Sequence, residues 1–280
     1  MKDLKIRASA IGKIMHFDKG TTITVKQLDT ITDLEGRDKA LTPNQQQTLD
    51  DLIAKRDAPP QLSTGAKTYI RDVYYGKKFD FTKRFTNKFT QKGNEMENAA
   101  IKEIVDFLGL PMAFKNEKYH ENDWTHGTPD VDMSAIDFQF DVKNAYYPNT
   151  LGVFEPVIDH DYLWQQRSYC WLLGIKNAAV VRILKNPPEH LIEKEAWVYL
   201  KDAGLTQMTD SFVDDVRELF NFEKRPIEDR IKIYTLKCED EHIDQMKSAV
   251  ELARVYWVEL DEIWKTKNEQ EILTIRNLGI

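Results

Sequence analysis

The most informative part of the sequence is Ile136-Asp137-Phe138-Gln139-Phe140-Asp141-Val142-Lys143-Asn144-Ala145-Tyr146-Tyr147, with Gly127-Thr128-Pro129-Asp130 shortly before it. Three apolar side chains alternate with three polar ones, and this period of two predicts a strand with one apolar and one polar face. We expect the polar face to be the solvent side of the strand. It carries an acid and a base two residues apart, Asp141 and Lys143, and Asp130 lies upstream. These three side chains can converge on one spot.

Length and composition limit the classes of protein to which this chain can belong. A chain of 280 residues with 41% apolar residues can form one large domain or a domain with a lobe. It has no run of 18 apolar residues and residues 1–14 lack an apolar signal segment, so we expect neither a membrane span nor secretion. Cys170 and Cys238 are too few for a disulfide framework or a four-thiolate metal site, which favours a reducing cytoplasm.

Charge is unevenly distributed along the chain. The net charge of −7 speaks against a protein coated in basic surface, yet residues 67–92 hold eight lysines and arginines against two aspartates, a local +6. Such a patch suits local binding of phosphates, although a solvated surface is the alternative. Four phenylalanines between residues 79 and 89 interleave with Lys83, Arg84 and Lys88. The mixture could bind nucleic acid, or the rings could pack inward.

The predicted elements alternate between helix and strand. Helices are expected over residues 4–15, 41–56, 63–75, 94–108, 161–173 and 241–264, and strands over 21–31, 112–119, 127–133, 135–145, 178–184 and 195–200. The clearest helix start is Thr42-Pro43-x-Gln45, a capping box with proline at the first position. The order predicts an α/β fold with a central mixed sheet flanked by helices, an N-terminal mostly helical insertion and a long C-terminal helix.

We interpret the chain as a single domain, with residues 17–90 as an insertion over a cleft, 91–185 as the catalytic core and 240–266 as the C-terminal helix. The aromatic cluster of that last helix is typical of a core or of an oligomer seam, which leaves a homo-oligomer open.

The strand and its upstream acid suit the hydrolysis of phosphodiesters. That reaction needs the phosphate charge offset, a water activated and the leaving oxygen stabilised, and Mg²⁺ ions bound by oxygen ligands contribute to each. Asp130, Asp141 and the backbone carbonyl of Val142 are the candidate ligands. Lys143 could orient the attacking water or stabilise the phosphate. Asp132 is a rival ligand, disfavoured because Thr128-Pro129 places Asp130 where the strand begins.

Further candidates lie on two predicted helices. Glu97 shares a helical stripe with apolar residues, and an inward carboxylate is costly unless something binds it. Metal is the simplest partner, and a salt bridge or a helix-dipole contact is the alternative. Gln165 and Tyr169 lie four residues apart, so both could reach the same cleft, although such pairs are common on ordinary helices. The sequence has no phosphate-binding loop, dinucleotide fingerprint or serine-hydrolase elbow.

The order of these motifs carries a resemblance to a known family. The motifs are Gly93-x-x-x-Glu97, Gly127-x-x-Asp130, Asp141-x-Lys143 and Gln165-x-x-x-Tyr169. Together they resemble the PD-(D/E)XK nuclease superfamily, and their arrangement looks most like its phage lambda exonuclease, or YqaJ-type, branch. The stretches Glu97-Asn98-Ala99, Thr128-Pro129-Asp130 and Tyr162-Leu163-Trp164-Gln165 look like those of that branch. Ser9 resembles the early serine that binds the 5′-terminal phosphate.

The resemblance implies a restriction-endonuclease-like core and a Mg²⁺-dependent deoxyribonuclease, with Mn²⁺ as a substitute, that degrades linear duplex DNA from its ends. It makes Glu97, Asp130 and Asp141 metal ligands, Lys143 the catalytic lysine and Gln165 a residue lining the site. Two cysteines exclude an iron–sulfur cluster of the four-cysteine kind. It also implies a single-strand annealing protein as partner and, for a phage protein, the cytoplasm of a bacterial host. An endonuclease of the same fold and a non-catalytic DNA-binding module are the alternatives.

Overall fold

The computed structural model describes residues 4–83 and 85–277, so the prediction for Arg84 lies outside the described residues. The described chain forms two compact units. One comprises Arg7–Ser9 and Lys83–Ile243, and contains the predicted site residues. The other comprises residues 4–6, 10–82 and 244–277. We call them the catalytic-motif unit and the helical unit.

The helices of the described chain are α1 (Ile11–Ile14), α2 (Val25–Glu35), α3 (Pro43–Asp57), α4 (Thr64–Phe79), α5 (Lys88–Leu108), α6 (His160–Leu173), α7 (Glu189–Asp202), α8 (Asp210–Leu219), α9 (Asp240–Thr266) and α10 (Glu269–Asn277). The strands are β1 (Ile6–Arg7), β2 (His120–Glu121), β3 (Thr125–Gly127), β4 (Val131–Met133), β5 (Phe138–Ala145), β6 (Asn177–Leu184) and β7 (Ile231–Lys237). Within this part of the chain, no helix is both long and apolar enough to cross a membrane.

The catalytic-motif unit is built on a four-stranded sheet in the order β4-β5-β6-β7. Strand β5 pairs parallel with β6, whereas β4 with β5 and β6 with β7 are antiparallel. Helix α6 connects the two parallel strands, as such a crossover requires. The predicted mixed sheet flanked by helices, with helices preceding it and a long C-terminal helix, is therefore confirmed.

The two faces of the sheet are covered by different helices. Residues of α5 such as Ile101 and Ile104 pack with Phe140, Val142 and other apolar side chains of the sheet in one buried core. The opposite face lies against α6. The expectation that the polar face of β5 is solvent-exposed is wrong, because Gln139 and Asp141 are fully buried. The parallel connection brings a helix over that face, and the amide side chains of this helix form hydrogen bonds with the buried polar groups.

In the helical unit, residues 21–31 were expected to form a strand, and this expectation is wrong. Thr24 caps α2 instead, in a capping box with Gln27. The Gln27 backbone N–H donates to the Thr24 hydroxyl oxygen, and the Thr24 backbone N–H donates to the Gln27 side-chain oxygen. Ile31 and Leu34 of α2 then pack against Leu49 of α3. The β-branched composition favoured a strand, but the capping signal and the apolar spacing of a helix prevail.

Other elements also differ from the predictions. Residues 4–15 are a two-residue strand, a 3₁₀ turn and the short α1, and residues 112–119 contain no strand. Residues 195–200 lie inside α7, where Leu191, Ile192 and Ala196 follow a helical spacing. Helix α5 begins six residues early because Asn87 caps it through Thr90. The predicted helix over 41–56 is confirmed, and so is that over 161–173, which ends at Gly174 with φ of +69°.

Candidate active site

Asp141 lies at the centre of the candidate site, in the middle of β5 and with no exposed surface. Gln165 Nε2 on α6 donates to its Oδ1 over 3.0 Å, and Lys143 Nζ lies 2.5 Å from its Oδ2. Among residues 4–83 and 85–277, no donor is aligned for a hydrogen bond with that buried Oδ2. One carboxylate oxygen is thus left to electrostatic attraction alone.

Asp130 stands opposite Asp141. The antiparallel register pairs Val131 with Phe140, so continuing it by one residue sets Asp130 across from Asp141. The backbone N–H of Val142 donates to Asp130 Oδ2 over 3.0 Å. The backbone oxygen of Asp130 accepts from Asn116 N over 2.7 Å, which holds the β3–β4 connection in place. The sequence prediction that these two acids gather at one place agrees with this geometry.

The two buried carboxylates perturb each other. Burial and the neighbouring Asp141 carboxylate raise the pKa of Asp130 to about 8. Lys143 and the Val142 N–H lower this pKa, but their effect is smaller. Burial alone would lower the pKa of Lys143, but the Asp141 and Asp130 carboxylates outweigh it and hold that pKa above its ordinary value. Lys143 is therefore a cation beside a pair of acids that repel each other.

Helix α6 brings Gln165 and Tyr169 to the same centre. Burial and the carboxylates of Asp141 and Asp130 raise the pKa of Tyr169 to about 12. The Tyr169 ring packs on Gly127, where an added Cβ would lie 3.1 Å from Tyr169 Cε1 and 3.2 Å from the Ala8 Cβ. Glycine thus permits the close approach of this ring. Ser9 follows Ala8 directly and is exposed.

Glu97 lies at the edge of the centre. Its carboxylate is 13% exposed, accepts from Lys115 Nζ at 2.6 Å, and is near enough to raise the pKa of Asp130. In the described part of the chain, the oxygens of Glu97, Asp130 and Asp141 are not all within 4.8 Å of one another. The salt bridge that the sequence left open as the alternative is present in this structure.

The predicted DNA-binding lysines are not gathered with these residues. Lys88 Nζ is 2.8 Å from Glu195 Oε1 and donates to the Tyr147 hydroxyl, so it takes part in an internal ion pair. Lys83 is exposed in a segment outside helices and strands. Phe85 is 73% exposed, whereas Phe89 contacts the rings of Tyr146 and Tyr147.

Two buried glutamines beside the centre were missed by the sequence reasoning. Gln139 Nε2 donates to Gln166 Oε1 over 2.8 Å, and neither side chain has exposed surface. The alternation along β5 placed Gln139 on the same face as Asp141. It could have been found only by recognising that this face is buried.

The donor set fits a divalent cation. Asp130 and Asp141 present buried carboxylates side by side, with one oxygen lacking a hydrogen bond, and the raised pKa of Asp130 means that the pair carries two negative charges only at a cost that a further cation would remove. The N–H and C=O of one strand residue point to the same side, so the Val142 carbonyl faces the side on which Asp130 lies. Three oxygen donors of this kind are what Mg²⁺ prefers.

The chain is similar to solved structures of exonucleases. No protein-family model matches the chain, and no curated protein matches it. Among solved structures, a phage-related exonuclease from Haemophilus somnus 129PT is similar, with a TM-score of 0.61 at 22% identity over 92% of this chain and 96% of that chain. The chain has the fold of the phage-type exonucleases. The predicted resemblance to that branch is thus confirmed at the level of the fold.

A second exonuclease extends the comparison. The alkaline exonuclease LHK-Exo from Laribacter hongkongensis is similar over 95% of this chain and 94% of its own, with a TM-score of 0.54 and 10% identity. Its complex with dAMP gives a TM-score of 0.52 at 10% identity over 96% of this chain and 94% of that chain. The likeness spans nearly the full length of each protein.

Proposed function

We propose that this protein is a divalent-metal-dependent DNA exonuclease that hydrolyses phosphodiester bonds from the ends of linear duplex DNA. The proposal rests on one observation: Asp130 lies beside Asp141, and Lys143 forms an ion pair with Asp141, in a chain with the fold of phage-type exonucleases. Buried acids this close to each other and to a lysine serve chemistry better than stability, because such a pair is costly without a further cation.

Each residue has a part in the proposed reaction. Asp130, Asp141 and the Val142 carbonyl would hold Mg²⁺ or Mn²⁺, and Glu97 would join them on leaving Lys115. A bound divalent cation supplies a Lewis acid and lowers the pKa of water. Lys143, held as a cation, binds the scissile phosphate or orients the attacking water, and Gln165 fixes the rotamer of Asp141 through its hydrogen bond.

The site also suggests how an end could be bound. Ser9 is exposed and follows the Ala8 that packs at Gly127, so we propose that its hydroxyl contacts the 5′-terminal phosphate, with Tyr169 lining the same region. Lys83, Arg84 and Lys88 remain proposed contacts to the DNA backbone, Lys88 only on release from Glu195. A bacterial or phage-infected cytoplasm and a single-strand annealing partner complete the proposal.

The test compares DNA with and without ends. Purified protein with Mg²⁺ should shorten an end-labelled linear duplex and leave a covalently closed circle intact. Lys143→Ala should reduce the rate at least a hundredfold, since a positioned charge or proton-transfer group contributes about 10² to 10⁴. Lys176→Ala removes an exposed lysine outside the site and should keep the wild-type rate.

Circular dichroism and thermal unfolding of both variants serve as the control for folding. Full activity of a well-folded Lys143→Ala protein would refute the role of that lysine. Cleavage of the closed circle would replace the exonuclease with an endonuclease. Binding of DNA that neither requires metal nor leads to cleavage would indicate a non-catalytic module.

A further inference from the structure

Three basic side chains form one row across the sheet, starting at the candidate active site. The parallel register pairs Lys143 of β5 with Arg182 of β6, and the antiparallel register pairs Arg182 with Lys232 of β7. Paired residues of neighbouring strands point to the same face, so the row lies on the α6 face of the sheet. Two strand spacings span about 10 Å from the first strand to the third.

Two tyrosine rings fill the gaps between these cations. Lys143 Nζ lies 4.9 Å from the centroid of the Tyr162 ring, and the Arg182 guanidinium carbon lies 6.0 Å from the same centroid. The Tyr234 ring continues the series, 5.5 Å from Arg182 and 5.1 Å from Lys232 Nζ. We call these five side chains the cation–tyrosine row. The rings hold the cationic side chains in place without neutralising them.

Beyond Lys143, the cations of the row form no ion pair in the described part of the chain. Arg182 and Lys232 are half-buried, and within residues 4–83 and 85–277 no carboxylate forms an ion pair with either. Glu155 Oε2 lies 2.8 Å from the position that a Cβ on Gly152 would take, and Arg182 Nη1 lies closer still to that position, so this carboxylate offsets part of the Arg182 charge without forming an ion pair. Like charges directly opposite on neighbouring strands destabilise a sheet, so the row costs stability unless an anion binds it.

The surroundings also favour an anion. A cavity of about 220 Å³ opens beside Lys143, and Thr150, Tyr162 and Arg182 are among its lining residues. A single phosphate cannot reach all three cations, because they span about 10 Å. Successive phosphates of one strand can.

We propose that the cation–tyrosine row binds the phosphates of a DNA strand next to the scissile one, and so directs the strand across the sheet from Lys143 toward β7. The inference rests on the proposed nuclease function and adds the path of the substrate. Arg182 and Lys232 are its new binding residues. Neither was a candidate in the sequence, because only the strand register reveals their alignment with Lys143.

The experiment measures the salt dependence of DNA binding. A fluorescein-labelled blunt duplex of 20 base pairs is titrated in EDTA, which prevents metal-dependent cleavage, at several NaCl concentrations. Each lost phosphate contact should lower the slope of log K against log salt by about 0.9 in magnitude, so Arg182→Ala and Lys232→Ala each lose about one unit and the double variant about two. The deficit of a single variant should shrink about three- to fourfold between 50 and 200 mM salt.

Lys237→Ala is the matched control, because Lys237 lies on the same strand but is exposed on the opposite face and at the other end. It should keep the wild-type slope, and no variant should unfold below the wild-type midpoint, since removing a cation from the row relieves repulsion. A wild-type slope in a folded Arg182→Ala/Lys232→Ala protein would overturn the proposal that the row binds DNA phosphates. So would an effect confined to binding of the mononucleotide dAMP. The proposed function fails separately, if the wild-type protein with Mg²⁺ leaves linear duplex DNA intact.

Discussion

Asp141 has partners of three kinds within the site: an amide, a cation and a second acid. The amide of Gln165 and the ammonium of Lys143 compensate part of the cost of its burial, and Asp130 adds to that cost. Burial of a paired charge is close to neutral, whereas removal of one partner leaves the other charge uncompensated. The balance at this residue therefore depends on what else binds there.

Lys92 provides a prediction away from the site. It has no exposed surface, its Nζ donates to the Ala145 backbone oxygen over 2.6 Å, and burial lowers its pKa to about 7. The unfolded state keeps the proton up to about pH 10 and so binds more protons between pH 7 and pH 10. Stability should therefore rise with pH in that window. Between pH 7 and 9, the free energy of unfolding measured with urea should rise by about 2 kcal/mol less in Lys92→Met than in the wild type.

Lys194→Met is the control for that substitution, since Lys194 is exposed on α7. It should keep the pH dependence of the wild type. An identical pH dependence in Lys92→Met and wild type would contradict the lowered pKa. Lysine in this position is also expected to cost stability at neutral pH, because part of the folded population must carry a buried charge.

For individual residues, the sequence predicted which side chains lie together better than it predicted their partners. Asp130 and Asp141 were candidates from their spacing, and Gln165 from its helix position and the family resemblance; the three lie together, and their catalytic roles stay predictions. The ion pairs of Glu97 with Lys115 and of Lys88 with Glu195 could not be predicted, because each joins residues 18 or more positions apart in the chain. Charge partners of that kind are set by the packing of elements.

Strand β5 shows what a sequence pattern leaves undetermined about an element. Its alternation predicted the strand and the identity of its two faces, but not that α6 would cover the polar one. Residues 195–200 show the converse error. Their composition favoured a strand, and only the longer window from Leu191 reveals the helical stripe of α7.

Helix α6 supports a prediction about positioning. The Asp159 carboxylate caps it by accepting from Asp161 N over 2.9 Å and from Tyr162 N over 3.4 Å. Asp159→Ala leaves both donors without that acceptor and should destabilise the protein by about 1 kcal/mol. Urea denaturation followed by circular dichroism measures the change.

Asp159→Asn keeps a capping oxygen and should remain close to the wild type in stability. Because α6 carries Gln165 and Tyr169, the alanine variant should also lose activity in proportion to the frayed first turn. A stability of Asp159→Ala equal to that of the wild type would contradict the contribution of this cap.

For the whole molecule, the sequence predicted the class of fold and the order of its main elements. It could not predict the strand order β4-β5-β6-β7 or its register, which depend on contacts between distant segments. The interpretation of the chain as a single domain stays a prediction, and the described residues group into two compact units. The placement of residues 17–90 over a cleft stays a prediction.

If the Asp130–Asp141 pair holds a divalent cation, calorimetric titration with Mg²⁺ will detect its binding. The wild-type protein should bind Mg²⁺, and Asp141→Asn, which keeps the shape of the side chain, should lose at least tenfold in affinity because a charged ligand is gone. Asp132→Asn, a nearby acid hydrogen-bonded to Ser134 N, should bind like the wild type. Equal Mg²⁺ affinity in wild type and a folded Asp141→Asn protein would contradict the claim.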